Sequence, residues 1–175
     1  MRAPPRSIRR FTSLVSNDIS LSELQEFVAE FWYHYDEGHY DELAARLADD
    51  VHYASRTDIG AAEFEEFVRA DLHGRDETLA WLAEHRNGSP YPLRHNGTNI
   101  FRTGNDGAVT TFRSYIFVTQ VTNGVPFAVS SAIVEGGVKR GPRGLVFTSM
   151  TVILDTRESA PFSSLVGDAV DATAH

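Results

Sequence analysis

The sequence predicts an α+β domain in which helices pack on one face of a strongly curved antiparallel sheet. Three observations carry this. Apolar residues recur at three- and four-residue spacing up to about residue 88, and Pro90 and Pro92 then end the helical pattern. Beyond Pro92, three turn signals separate runs rich in Val, Thr, Phe, Tyr and Ile. The chain has 175 residues, 42% of them hydrophobic, with no internal repeat and no linker, which suits one sizeable core and not two.

Ser20 and Glu23 have capping-box spacing and open the first helix. Leu24, Phe27, Val28, Phe31 and Tyr35 form its apolar stripe, and Gly38 is its stop. A short second helix is expected from Tyr40 to Ala48, followed by a short strand from Val51 to Ser55. A third helical region begins near Ala61 and uses Phe64, Phe67, Val68 and Leu72; it, or a continuation after Gly74, carries Leu79, Trp81 and Leu82. Strands are expected at Asn99–Thr103, Ala108–Val121, Val125–Val138 and Leu145–Asp155. Gly104-Asn105-Asp106-Gly107, Asn123-Gly124 and Gly141-Pro142-Arg143-Gly144 turn between them. Strands this long must twist and bend, and a bent sheet under helices leaves a hollow.

The domain expected is therefore residues 20–156, after a basic flexible arm (1–19) and before a loose tail (157–175) of small and polar residues. Arg2, Arg6, Arg9 and Arg10 are the only charged side chains in the first ten positions, so a formal net charge of -8 for the chain leaves -12 on residues 11–175. That acidity argues against a nucleic-acid partner. No apolar run reaches the roughly 18 residues of a membrane span. The basic start is not followed by an apolar segment of the secretory kind, so a cytoplasmic location is expected. With no cysteine, thiolate catalysis and Cys-based metal centres are excluded. Phosphate-cradling loops of the GxxxxGK[ST] and GxGxxG kinds are absent, as are HExxH and G-x-S-x-G. Glu135-Gly136-Gly137, with Lys139, Arg140 and Arg143 nearby, reads as hairpin chemistry and not as an anion site.

What remains is a set of histidines, tyrosines and an aspartate near the expected hollow. Histidine exchanges protons near neutral pH, tyrosine hydrogen-bonds a carbonyl oxygen, and a carboxylate orients an imidazole. His95, Asp36, Tyr35 and Tyr53 are the candidates for such chemistry. His34, His39 and His52 are read as surface or packing residues, and His73, His85 and His175 as helical or tail residues without a role. The histidine spacing carries no helix-face metal signature, and neither metal nor cofactor is expected.

The stretch Phe31-Trp32-Tyr33-His34-Tyr35-Asp36-Glu37-Gly38-His39-Tyr40-Asp41-Glu42-Leu43, then Leu47-Ala48-Asp49-Asp50-Val51-His52-Tyr53, resembles the opening of SnoaL-like proteins in the nuclear transport factor 2 superfamily. Arg94-His95-Asn96-Gly97-Thr98-Asn99 resembles the "RH-x-x-x-N" start of the sheet in that family, and Asp155 sits near its usual end. The likeness spans about residues 20 to 156. It implies a cone-shaped α+β barrel of the NTF2-like or cystatin-like kind, with an apolar pocket and frequent dimers.

Within that superfamily the motifs resemble scytalone dehydratase. Its tyrosine-aspartate pair falls on Tyr35 and Asp36, its second tyrosine on Tyr53 and one of its two histidines on His95. The resemblance implies tyrosines that hold a water against the substrate carbonyl and histidines that move protons. The sequence departs from it in two places: Ala108–Val121 contains no histidine, Thr119 being nearest, and Ser130 and Ser131 stand where a substrate-binding asparagine is expected. The function expected is a cofactor-independent dehydratase, isomerase or cyclase, acting on a small apolar, cyclic carbonyl or hydroxy compound and forming a homodimer or other homo-oligomer. The alternative is a non-catalytic subunit or ligand-binding module, since the same pattern resembles the β subunits of ring-hydroxylating dioxygenases.

Overall fold

The computed structural model describes residues 18–164, so most of the basic arm and the far part of the tail lie outside the described residues. Among the described residues, four helices and six strands follow one another: α1 (Leu21–Glu37), α2 (Tyr40–Ala45), β1 (Leu47–Thr57), α3 (Glu65–Val68), β2 (Ala70–His73), α4 (Arg75–Gly88), β3 (Leu93–Asn105), β4 (Thr110–Thr122), β5 (Val125–Gly141) and β6 (Gly144–Leu154). The strands form one curved, unclosed sheet in the order β2-β1-β6-β5-β4-β3.

Helix α1 starts where the capping box places it: the Ser20 hydroxyl accepts from the Glu23 amide, and the Glu23 carboxylate accepts from the Ser20 amide. Its stripe is buried and meets the sheet through aromatic rings. Phe27 and Phe31 lie 4.6 and 5.1 Å from Phe147 of β6, centroid to centroid. Phe31 and Phe147 are fully buried, and each contributes roughly 1.5–3 kcal/mol by leaving water. Ile19 is also buried, so the core takes in the last residue assigned to the arm. Gly38 closes the helix at φ 68°, a left-handed conformation that costs glycine nothing. Its amide and that of His39 donate to the Tyr35 and His34 carbonyls, which locks the turn that carries Tyr35 and Asp36.

Three elements differ from expectation, and in each a tertiary pairing overrides a weak local preference. Helix α2 ends at Ala45, because Leu47 onward pairs with β6 and the Phe147 amide donates to the Arg46 carbonyl. The expected long third helix is a single turn, a strand and a helix: Ala70–His73 pairs antiparallel with Ser55–His52 of β1, and the Gly74 amide donates to the Val51 carbonyl. Strand β3 begins at Leu93, six residues before Asn99, by pairing with β4. The β1–β6 pairing is parallel, so the sheet is mixed at this one junction.

Register shifts between Thr98 and Phe101, between Val118 and Thr119 and between Gly137 and Val138 bend the sheet. Gly136 and Gly137 lie inside β5 and not in a hairpin. A Cβ at Gly136 would stand 2.6 Å from the Phe112 ring and 2.7 Å from the Ser149 carbonyl, so close packing explains the glycine. Helix α1 packs along β3 and α4 against β1. Between these helices and the concave side of the sheet lies the hollow.

Candidate active site

A cavity of about 270 Å³ occupies that hollow, and its walls are mainly apolar: Trp32, Val68, Trp81, Leu93, Ile116 and Val152 among others. Phe64 and Phe67 line it while remaining about half exposed, and so mark its mouth. The polar side chains on the wall include Tyr35, Tyr53, His85, His95, Gln120 and Ser130.

Tyr35 and Asp36 are adjacent at the end of α1, so the helix turns their side chains about 100° apart. Tyr35 enters the cavity wall, whereas Asp36 lies behind it, against the start of β3. The Asp36 carboxylate accepts the His95 backbone amide at 2.8 Å and His95 Nδ1–H at 2.6 Å. Both side chains are nearly sealed from water, at 10% exposure for His95 and 5% for Asp36. A carboxylate only accepts, so the proton sits on Nδ1, and Nε2 is the nitrogen left for the cavity. Trp32 stacks on the same imidazole with a centroid distance of 5.0 Å and an interplanar angle of 10°. Bond and stack together fix both the tautomer and the plane of the ring.

The other end of the wall is held by a residue to which the sequence reading gave no role. His85 Nδ1 lies 2.5 Å from the Tyr35 hydroxyl, and its ring is packed against Trp81 and Phe67 at 4.8 and 4.5 Å. Burial, with the charges of His95 and Arg86 added, pushes the His85 pKa down to about 4. Burial raises that of Tyr35 well above the ordinary phenol value. His85 is therefore neutral and Tyr35 protonated at neutral pH. A protonated phenol and a neutral imidazole therefore share one hydrogen bond at Nδ1, which ties the two rings together on the cavity wall. Among the described residues, His85 Nε2 and Trp32 Nε1 are buried without a hydrogen-bonding partner. Trp81 and buried Leu82 lie one turn before His85 on α4, the local sign that His85 turns toward the cavity.

Tyr53 projects from β1 into the same cavity, buried and 5.4 Å from the Trp81 ring. Burial raises its pKa as well. Buried Arg86 ties the parts together, donating to the Asp36 backbone carbonyl and to that of Pro90 at 2.9 and 3.1 Å. Of the four residues singled out in the sequence, Tyr35, Tyr53 and His95 line one cavity, and Asp36 backs it.

The neighbouring motif residues face away from the cavity. Asn96 donates to the Arg94 and Phe117 carbonyls, Arg94 pairs with Glu37 at 3.1 Å, and Asn99 holds a left-handed turn at φ 54°. Ser131 bonds Asp155, while Ser130 and Gln120 supply the polar groups on the sheet side of the cavity. His34 and His39 contact each other at 3.1 Å, outside the cavity.

Helices over a curved sheet, with a tyrosine-aspartate pair ending the first helix beside an apolar cavity, define a pocket protein of the NTF2-like class. The chain belongs to the SnoaL-like domain family, whose sequence profile matches residues 20–151. Sequence comparison with curated proteins finds no match. Solved structures resemble it at the level of the fold. An NTF2-like protein with a cystatin-like fold from Novosphingobium aromaticivorans superposes with a TM-score of 0.62 at 20% identity, over 83% of this chain and 87% of the other. The β subunit of benzoate 1,2-dioxygenase from Burkholderia mallei gives 0.60 at 16% identity, over 78% and 91%. A protein provisionally assigned as a scytalone dehydratase, also from N. aromaticivorans, gives 0.61 at 15% identity, over 81% and 92%. Among the described residues no helix is long and apolar enough to cross a membrane.

Proposed function

We propose that this protein is a cofactor-independent acid-base enzyme, a dehydratase, isomerase or cyclase acting on a small apolar, cyclic carbonyl or hydroxy compound. The observation that carries this reading is the Asp36–His95 pair backing an apolar cavity. Asp36 positions the imidazole, and His95 Nε2 takes a proton from the carbon next to the substrate carbonyl. Tyr53 supplies a hydrogen bond to the oxygen on which charge develops. In a dehydration the imidazolium returns its proton to the departing hydroxyl, which leaves as water. Tyr35 and His85 hold each other on the cavity wall and are positioning residues.

The test follows a panel of cyclic β-hydroxyketones and ring ketones in D₂O by NMR, reading deuterium incorporation and loss of water. His95→Gln is expected to lower the rate roughly 10²–10⁴-fold with the fold unchanged. Retention of the wild-type rate by His95→Gln removes His95 from the mechanism, and absence of exchange across the panel overturns the reading.

A second reading, a non-catalytic subunit, is favoured by one observation on the opposite face of the sheet. Alternation along β4 turns Tyr115 and Phe117 away from the cavity, 53% and 40% exposed. The register sets Ile133 beside Tyr115 and Ile153 beside Ile133, an apolar row across three strands. This row suits a protein partner, either the larger partner of a non-catalytic subunit or a second copy of the chain in a homodimer or other homo-oligomer. Sedimentation velocity checks it: Tyr115→Arg with Phe117→Glu is expected to yield monomers, while co-purification of a larger partner on this face favours the subunit reading.

A further inference from the structure

We propose that His52, Asp71 and His73 form a transition-metal site on the outer face of the β1–β2 edge, accepting Zn²⁺, Ni²⁺ or Cu²⁺. The inference is independent of the cavity. His52 on β1 and His73 on β2 are directly opposed in the antiparallel register. Asp71 lies two residues from His73, so the pleat sends all three side chains to one face. Each offers one ligand atom within 4.8 Å of the others, the one such group among the described residues. His52 Nε2 is 2.7 Å and His73 Nε2 3.9 Å from the same oxygen, Asp71 Oδ1. The two imidazoles are parallel, with centroids 4.4 Å apart. Two imidazoles and one carboxylate are the donors that borderline metals prefer over Mg²⁺ or Ca²⁺, and water completes the coordination.

The surroundings agree in charge. An adjoining hollow is lined by Asp49, Asp76 and Glu77, and its one cation, Arg75, is already paired with Asp49. Glu77 accepts the His73 backbone amide at 3.2 Å, which holds that residue at the rim. The side chains are exposed, 45% for His52 and 76% for each of the others, so an ion reaches them without opening the fold. A bound ion would join the four-residue edge strand β2 to β1, whose next residue, Tyr53, faces the cavity.

The experiment titrates ZnCl₂ and NiCl₂ into tag-free, chelator-treated full-length protein by calorimetry, in parallel with thermal melts. One ion per chain is expected, with Tm rising by about 5–10 °C at a hundredfold excess over Kd. His52→Ala and His73→Ala should each weaken binding by at least about tenfold while leaving the metal-free Tm in place. His34→Ala with His39→Ala, which removes the other exposed histidine pair, should leave affinity unchanged. Equal affinity in the His52→Ala and His73→Ala proteins, loss of binding in the His34/His39 variant, or no binding below millimolar metal would each overturn the proposal. MgCl₂ that binds as well as ZnCl₂ would also overturn it, since oxygen donors alone would then suffice.

Discussion

Two histidine–aspartate pairs in this protein have nearly the same length and opposite surroundings. His95 and Asp36 meet at 2.6 Å with 10% and 5% exposure, and His52 and Asp71 meet at 2.7 Å with 45% and 76%. The inner pair sits between a helix end and the first residues of a strand. Asp36 is bonded to both the backbone and the ring of His95, and Trp32 covers the ring. Outside, the pair rests on a sheet edge, and water competes for every bond. Distance alone therefore does not set what an ion pair does. Burial converts the inner bond into a positioning device that is costly to break, and exposure leaves the outer one free to exchange its proton for another ligand.

The largest effect expected is at Asp36. Asp36→Ala leaves a buried imidazole N–H and a buried amide without acceptors, and should lower stability by about 3–5 kcal/mol in urea unfolding. A loss below about 1 kcal/mol would mean that the inner pair is no more demanding than the outer one. Asp36→Asn keeps the shape but offers an N–H or an oxygen, not two oxygens, to His95. Turnover should then fall by about 10³–10⁴-fold with little change in KM, since the imidazole is held in the wrong tautomer. If kcat is unchanged, Asp36 does not position His95 for catalysis.

Next in size is the acid sensitivity that His85 confers. Its folded pKa of about 4 lies below the ordinary histidine value of 6.5. Between those two pH values the unfolded chain holds a proton that the folded chain lacks, so stability rises with pH. The contribution is complete above pH 6.5 and is lost as pH falls toward 4, amounting to at most about 3 kcal/mol. His85→Gln should flatten the slope of unfolding free energy across pH 6.5–4.5 relative to wild type. Parallel slopes would show that the ring gains its proton without resistance in the folded state. Burial keeps His85 neutral, whereas a carboxylate holds His95 in place.

How much of this could be read from the sequence follows the same division between local and long-range causes. Helix α1, with its cap, stripe and stop, and the three hairpins are encoded within a few residues each, and they stand where periodicity and turn chemistry place them. Tyr35, Asp36 and His95 were visible as residue types beside elements that had to face the hollow. His85 was not, because its meaning comes from Tyr35, fifty positions earlier, and from Phe67 across the mouth. The β1–β6 pairing and the strand β2 were equally silent: four residues between two helical turns carry no periodicity, and their partner is set by the sheet. The opposed histidines depend on that same register, so from sequence His52 reads as a surface or packing residue and His73 as a helical one.

The smallest effect expected is at Asp71, and it tests the other side of the comparison. In chelated buffer Asp71→Asn should move Tm by no more than about 2–4 °C, the range for an exposed pair in a chain of this size. The hydrogen bond from His52 holds the Asp71 carboxyl below its usual pKa, so whatever it contributes is present at neutral pH and lost as pH falls through the acid range. The shift should shrink further in 1 M salt, where the Debye length is about 3 Å, whereas the effect of Asp36→Ala should persist because ions do not reach that bond. A double-mutant cycle of Asp71→Asn with His52→Ala, run at low and high salt, separates the two cases. Coupling that survives 1 M salt would mean that the outer pair is shielded from solvent, and burial would then not be what distinguishes the two.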